Sequence, residues 1–218
     1  MSKSEVSQIL IRDLGLMHYG DAILEQERAH ASVLAGGLPV IFTVQHYNVL
    51  TMGKNSSKAN LMLPVEHYKQ QGVEIIVTDR GGEITAHVPG QLVVYPVIPI
   101  LKMGLTVRSY VSLLEECVIE GLGEYGFIAA RDEKHPGVWI GANKICAIGV
   151  RIKSRVAMHG FALNVNNSLD LFNKIVPCGI LNRGVTTMAI AGSQMVSMED
   201  VKIRLVERLM KKLHCVPA

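Results

Sequence analysis

GVWIGANKICAIGVRIKSRVAMHGFALNVN, residues 137–166, decides the fold. GVWIG, KICAIGVRI and VAMHGFALNVN are each rich in β-branched or apolar residues and are separated by tight Gly/Asn or Lys/Ser turns. Short strands joined by such turns read most simply as an antiparallel meander. Working outward, Thr106 to Leu122 places Val107, Val111, Leu114, Val118 and Leu122 at helical spacing, with Cys117 inside the helix as a packing residue. On the far side, Ser197 with Asp200 reads as a capping box ahead of Val201, Leu205, Leu209 and Leu213, so the chain is expected to end on a helix.

The N-terminal half follows the same logic. Tyr19 to Leu34 repeats apolar residues every third or fourth position, starts beside Asp21 and stops at Gly36-Gly37, which predicts a helix. PVIFTVQ (39–45), the segment around VLTM, VEIIVT (73–78, read as a buried strand) and QLVVYPVIP (91–99) predict strands, with a short helix over 65–71. Hairpin-like runs of strands with interspersed helices, and no strict βαβ alternation, predict an α+β class with a mixed, largely antiparallel sheet covered by helices. No composition shift or linker marks a boundary, so residues 1–218 are expected to form a single domain.

Composition narrows the function classes. Of the 218 residues 49% are hydrophobic and 19% charged, a globular balance without repeats. The net charge of +3 comes without a Lys/Arg block interleaved with aromatics, which argues against nucleic acid as partner. The opening MSKSEVSQILIRDLGLM has no uninterrupted apolar core and no small-residue cleavage site. The longest apolar run, LVVYPVIPIL at 92–101, contains two prolines and is about half the ~20 residues of a membrane span. Cys117, Cys146, Cys178 and Cys215 stand far apart, without the pattern of a disulfide framework. A cytoplasmic protein with no membrane association is expected.

Three segments look chemical. In IVPCGI (175–180) Cys178 stands between two breakers of regular structure, Pro177 and Gly179, and so on a turn, where side chains are presented to ligands. In DRGGEITAHVPGQ (79–91) glycine-bearing turns bracket Thr85 and His87, with Arg80 beside them. That stretch reads either as a site where backbone N–H groups approach a ligand or as an irregular hairpin with Arg80 salt-bridged and His87 satisfied by the backbone. Neither the P-loop spacing nor GxGxxG is present. Lys144, at the tip of the proposed hairpin, is either a solvated turn residue or, if Cys178 is near, the cation that lowers its thiol pKa from ~8.5 and shuttles a proton. His159-Gly160 either lines a pocket or caps a strand turn. Zinc from Cys178, His159 and His87 lacks any short ligand spacing, and no metal is expected.

Taken together, His46…Thr51-x-Gly53, RGGEITAHVPGQ, GVWIGANKICAIGV, HGFALNV and PCGI, spread from about Tyr19 to Ile190, resemble the lipoyl(octanoyl) transferase family. The resemblance implies the α+β fold of the biotin/lipoate protein ligases and a two-step acyl transfer without a cofactor. Cys178 matches the cysteine that takes octanoyl from acyl carrier protein, and Lys144 matches its partner lysine. The acceptor implied is a lysine on lipoyl domains of 2-oxoacid dehydrogenases or the glycine-cleavage carrier protein, served by a monomer. Substrate contacts are implied at Arg80, Gly81, Gly82, Glu83, Ile84, Thr85, Ala86, His87, Ala147, Ile148, Gly149, His159, Gly160, Phe161 and Ala162, with Ile148, Phe161 and Ala162 as apolar wall. Oxyanion donors are expected from the backbone at Cys178-Gly179 or from residues 80–87.

In two places the chain departs from the family pattern Tyr-His-Gly-Pro-Gly-Gln. Ala86 replaces the tyrosine, and losing the ring is expected to widen the pocket locally; Val88 replaces the first glycine, where a β-branched residue is expected to resist a positive φ. The rival readings are an ATP-dependent lipoate or biotin ligase, which needs no nucleophilic cysteine, and a non-catalytic protein that binds acyl carrier or lipoyl domains.

Overall fold

The computed structural model describes residues 7–176, 183–192 and 194–218. Cys178 and its neighbours in PCGI lie outside the described residues. The elements run β1 (Ser7–Met17), α1 (Tyr19–Leu34), β2 (Val40–His46), β3 (Val49–Met52), α2 (Val65–Gln70), β4 (Glu74–Val77), β5 (Ile84–His87), β6 (Gln91–Val97) and α3 (Val107–Gly123). They continue with β7 (Ala130–Arg131), β8 (Val138–Ile140), β9 (Asn143–Lys153), β10 (Val156–Asn164), β11 (Gly184–Val185), α4 (Met188–Gly192), α5 (Met198–Leu213) and β12 (Cys215–Pro217).

The large sheet has the order β12-β1-β2-β6-β10-β9-β8-β7, with β11 beside β9, and a small sheet has the order β4-β3-β5. Pairing is antiparallel from β2 through β6, β10, β9 and β8 to β7, and parallel for β1–β2, β1–β12, β9–β11 and β3–β4. The 137–166 stretch therefore forms the expected meander. Its β9–β10 turn carries Ser154 and Arg155 at φ 48° and 71°, the pair of positive values that a two-residue I′ turn requires.

Period-two alternation separates two cores. Ile41, Leu92 and Val94 face α3 and α5, while Val40, Phe42, Val93 and Tyr95 face α1 on the opposite side. With both faces covered, β6 is buried along its whole length, which explains its nearly continuous apolar sequence. A third cluster lies under the small sheet around Leu50, Tyr68, Ile84, Ala86 and Phe172. Thr106 caps α3 by accepting from the Ser109 N–H, and Ser197 caps α5 through the Asp200 N–H.

Two expectations are corrected, and one strand is new. The chain does not end on a helix: His214 takes a left-handed C-cap and leads into β12, which pairs with β1. Strand β4 is not buried; it is an edge of the small sheet, with Val77 79% exposed. Strand β1 is additional, its alternation broken by a register shift between Asp13 and Leu16. Pro96 stands inside a central strand because the β6–β10 ladder stops just before it: the paired residues end at Phe161 and Val94. Beyond that point the His159 N–H donates to Gln26 Oε1 at 2.8 Å instead, and His159 adopts φ 56°.

Gly160 lies where the strands press together. A Cβ there would sit 2.1 Å from the Val94 carbonyl oxygen. Gly160→Ala should cost about 2–3 kcal/mol through overpacking against backbone, whereas Gly123→Ala, whose Cβ would meet nothing within 4 Å, should be neutral or stabilise by up to ~1 kcal/mol. Chemical denaturation of the two variants checks this; equal stabilities would contradict the packing described.

Candidate active site

A cavity of about 550 Å³ opens between the two sheets and α3. Arg80, Gly81, Gly82, Glu83, Ile84, Thr85, His87, Lys144, Ala147, Ile148, Gly149, His159, Gly160, Phe161 and Ala162 all border it. Ala86 does not. Its side chain turns into the core under the small sheet, because neighbours along β5 face opposite ways. The missing tyrosine ring thus alters that core and not the cavity wall. Val88 lies in the same core and does not occupy the left-handed region, so a β-branched residue fits there without strain.

Arg80 is buried, and its surroundings show why glycines cluster in this sequence. Its Nε and Nη2 donate to Thr51 Oγ1 at 3.2 and 2.8 Å, Nη2 donates to the Thr51 carbonyl at 2.6 Å, and Nη1 donates to the Gly81 carbonyl at 3.1 Å. Room for that guanidinium comes from Gly53 and Gly149: a Cβ on Gly53 would lie 2.3 Å from the Gly82 oxygen, and one on Gly149 would lie 2.8 Å from the Gly81 oxygen. These glycines let chain approach chain. The Gly81 N–H donates to the Val150 carbonyl at 3.0 Å and so is not an oxyanion donor.

His87 is engaged at both nitrogens. Gln91 uses its amide to donate to the Ala86 carbonyl and to Asn164 Oδ1, so its Oε1 accepts from His87 Nδ1–H at 2.7 Å. The other nitrogen, Nε2, faces the Thr51 hydroxyl at 3.4 Å, whose oxygen already accepts from Arg80. Asn164 in turn donates to the Thr186 carbonyl, and the Thr186 N–H to the Lys144 carbonyl, at 3.1 and 3.0 Å. One polar chain thus runs from Arg80 to the backbone of Lys144. Burial pushes the His87 pKa well below its ordinary value, and neighbouring His46 and Arg80 act the same way.

Lys144 is not a solvated turn residue. The β8–β9 turn is made by Gly141 and Ala142, so Lys144 already belongs to β9 and is buried. Its Nζ donates to the Pro136 carbonyl at 3.1 Å and lies 4.8 Å from the centre of the Trp139 ring. The Arg183 guanidinium lies 4.5 Å from that ring centre. Val185 is in register with Lys144, so the chain downstream of Cys178 is paired beside this lysine. Cys178 itself lies outside the described residues.

The wall includes residues that sequence reasoning missed as site residues, among them Tyr19, Val93, Tyr95, Val107, Val111 and Pro136. Val107 and Val111, one helical turn apart, carried a signal, since both belonged to the apolar stripe of α3. Tyr19 and Tyr95 carried none, because their rings meet the imidazoles only in the folded chain. Tyr19 stacks on His87 with centroids 5.6 Å apart, and burial pushes its pKa up to about 12. His159 Nε2–H donates to Asp79 Oδ1 at 3.0 Å. Burial lowers the His159 pKa, and the Asp79 carboxylate opposes that shift.

The three described cysteines are free and buried. Burial pushes Cys117 up to about 12 and raises Cys146 and Cys215 as well, so all three stay protonated thiols at neutral pH.

The comparisons with known proteins agree with this architecture. Residues 19–210 match the lipoyl protein ligase A/B catalytic domain. The chain belongs to that family. It is 40% identical over 197 residues, 89% of this chain and 84% of the relative, to the octanoyltransferase of Caldicellulosiruptor saccharolyticus. A bi-partite lipoate protein ligase of Thermoplasma acidophilum superposes with a TM-score of 0.76 at 17% identity, covering 97% of this chain and 86% of that one. Biotin protein ligase of Aquifex aeolicus superposes with a TM-score of 0.53 at 14% identity, over 95% and 70% of the chains. The α+β fold is thus the one shared by lipoate and biotin protein ligases. Among the described residues no helix is long and apolar enough to cross a membrane.

A buried neighbour of the site yields a pH prediction. His46 Nδ1–H donates to the Met17 carbonyl at 3.0 Å and Nε2 accepts from the Tyr95 hydroxyl at 2.8 Å, a fully satisfied neutral ring. Burial pushes its pKa down from 6.5 to about 4, with the Met17 contact opposing. The folded state therefore binds fewer protons than the unfolded one across that window. Stability is retained above pH 6.5 and falls between there and about pH 4, by about 1.4 kcal/mol per unit from His46. His87 and His159 act in the same direction, while the lowered Asp79 contributes only below its ordinary 3.8. Urea unfolding at pH 7 and pH 4.5 should show the loss, and His46→Gln, which keeps a donor and an acceptor, should reduce it. An equal loss in the variant would overturn the assignment.

Proposed function

We propose that this chain is an octanoyl-acyl carrier protein:protein octanoyltransferase that works as one catalytic domain through a Cys178 thioester. The observation that carries the reading is 40% identity over 197 residues to an octanoyltransferase, on a chain whose large, mainly apolar cavity has Lys144 in its wall. The chemistry of the thiols supports it. Every described cysteine is held protonated by burial, which leaves Cys178 as the candidate nucleophile.

In the first step the Cys178 thiolate, stabilised by the Lys144 ammonium, attacks the thioester carbonyl of octanoyl-acyl carrier protein. The carbonyl electrons move onto oxygen and return as the carbon–sulfur bond to the carrier breaks. Lys144 gives its proton to the departing thiolate. In the second step a lipoyl-domain lysine, having lost its ammonium proton to solvent, attacks the acyl-enzyme as a neutral amine. The proton released on nitrogen returns to Lys144, and Cys178 leaves as thiolate. One thioester replaces another in the first step and an amide replaces a thioester in the second, so no ATP is required.

The acyl tail lies along Ile148, Phe161 and Ala162, where each methylene removed from water contributes about 0.8 kcal/mol, ~5 kcal/mol for the whole chain. The acceptors are lipoyl domains of 2-oxoacid dehydrogenases and the glycine-cleavage carrier protein. The enzyme is proposed to work in the cytoplasm as a monomer.

Incubation with octanoyl-acyl carrier protein without ATP, followed by intact mass measurement, should give one octanoyl adduct that is absent in Cys178→Ala. Lys144→Ala should lower turnover by about 10²–10⁴-fold with an unchanged circular dichroism spectrum. An adduct persisting in Cys178→Ala, or transfer that depends on ATP, would refute the reading.

A further inference from the structure

The strand that carries Lys144 has a gap in its outer ladder, and the gap opens into the cavity. Successive peptide groups of a strand point to opposite edges. In β10 the Ala157 N–H donates to the Ile98 carbonyl, toward β6, which assigns the odd-numbered peptide groups of β10 to that side and the even-numbered ones to β9. Their register partners on β9 are Ala147 and Gly149, opposite Ala162 and Gly160. The even-numbered residues of β9 in this stretch therefore face outward. Two of them have partners at that edge: Cys146 pairs with Val138 of β8, and the Val150 carbonyl accepts from the Gly81 N–H. Between them, the N–H and C=O of Ile148 face the same edge and have no hydrogen-bond partner among the described residues.

This opening has defined ends. It runs from Cys146 to Val150, about 13 Å at the usual rise per strand residue, and is closed by β8 on one side and the Arg80-Gly81 turn on the other. A side-chain-bearing polypeptide strand has no way to continue past either end. The cavity also exceeds the acyl group: at about 30 Å³ per carbon, close to the share of a water molecule in the liquid, an eight-carbon chain takes ~240 Å³ of the 550 Å³. Neither an alkyl tail nor a thioester carries an N–H. A backbone donor and acceptor facing such a cavity are complementary to successive amides on the remaining part of the substrate.

We propose that the open edge of β9 at Ile148 binds the pantetheine arm of the acyl donor as a surrogate strand. The carbonyl of the arm's amide nearest the thioester accepts from the Ile148 N–H, and the N–H of the arm's second amide donates to the Ile148 carbonyl, since the two groups of one trans amide point apart; this aligns the sulfur with the Lys144 end of the strand. The inference rests on the acyl-transfer reading above and specifies what holds the donor. Ile148 then recognises substrate through its backbone, in addition to the apolar wall its side chain forms.

Two probes test it on the full-length enzyme. S-octanoylpantetheine carries both amides, and its isostere with an ester oxygen in place of the second amide's N–H lacks the donor to the Ile148 carbonyl. The second-order rate of Cys178 octanoylation, followed by intact mass, should fall about tenfold for the ester, the size of one lost hydrogen bond. Exchange of the Ile148 N–H, followed by NMR with the unreactive S-octyl thioether, should slow at least tenfold with the amide compound. Equal acylation rates for amide and ester, or unchanged exchange at Ile148, would overturn the proposal. Protection by a lysine-bearing lipoyl-domain peptide but not by the amide thioether would assign the edge to the acceptor and also overturn it. Absence of any cysteine adduct would count against the acyl-enzyme and leave the exchange measurement to decide the edge.

Discussion

The buried guanidinium of Arg80 is the constraint on which the site depends. A charge removed from water is tolerated only when its donors are satisfied, and here Thr51 of the small sheet and the carbonyl of Gly81 accept from it. The same turn then reaches the large sheet through the Gly81 N–H and the Val150 carbonyl. The Arg80 side chain and the Gly81 backbone together tie the small sheet to the large one beside the cavity. The glycines at 53 and 149 follow from this, because any Cβ there would occupy the space of the turn.

Around that cation the molecule keeps its imidazoles neutral. His46 and His87 have both ring nitrogens engaged with uncharged partners, and burial lowers the pKa of each. A second positive charge beside Arg80 would be costly in this low-dielectric setting. The relay from Arg80 through Thr51, His87, Gln91 and Asn164 to Thr186 uses each donor in one direction. It ends on the segment that pairs with Lys144. Such a chain couples the two ends of the cavity by geometry and does not itself carry charge.

The cavity wall carries apolar residues of β9 and α3 beside the polar side chains of Arg80, Thr85 and Lys144. That division suits a substrate with a greasy tail and a polar arm. The edge left open at Ile148 supplies backbone hydrogen-bonding groups in an otherwise apolar stretch, where they are stronger than in water. Closure of the edge by β8 and the Gly81 turn makes it selective for something slender.

The periodicity of single segments was legible in the sequence by itself. The 19–34, 107–123 and 198–213 helices and the 137–166 meander appear at nearly the expected bounds, because each buries one face and local pattern suffices for that. The ordered motifs also identified the family and 15 of the 25 residues bordering the cavity, missing among others Tyr19, Tyr95 and the α3 valines. What only the tertiary structure decided is how distant segments share space. Ala86 belongs to a core and not to the cavity, Lys144 is buried beside Trp139, and β12 closes onto β1. None of these is a property of a short window, since each depends on which surface another element brings opposite it. Sequence pattern specifies which residues avoid water; the packing of two sheets and three long helices determines which of them meet.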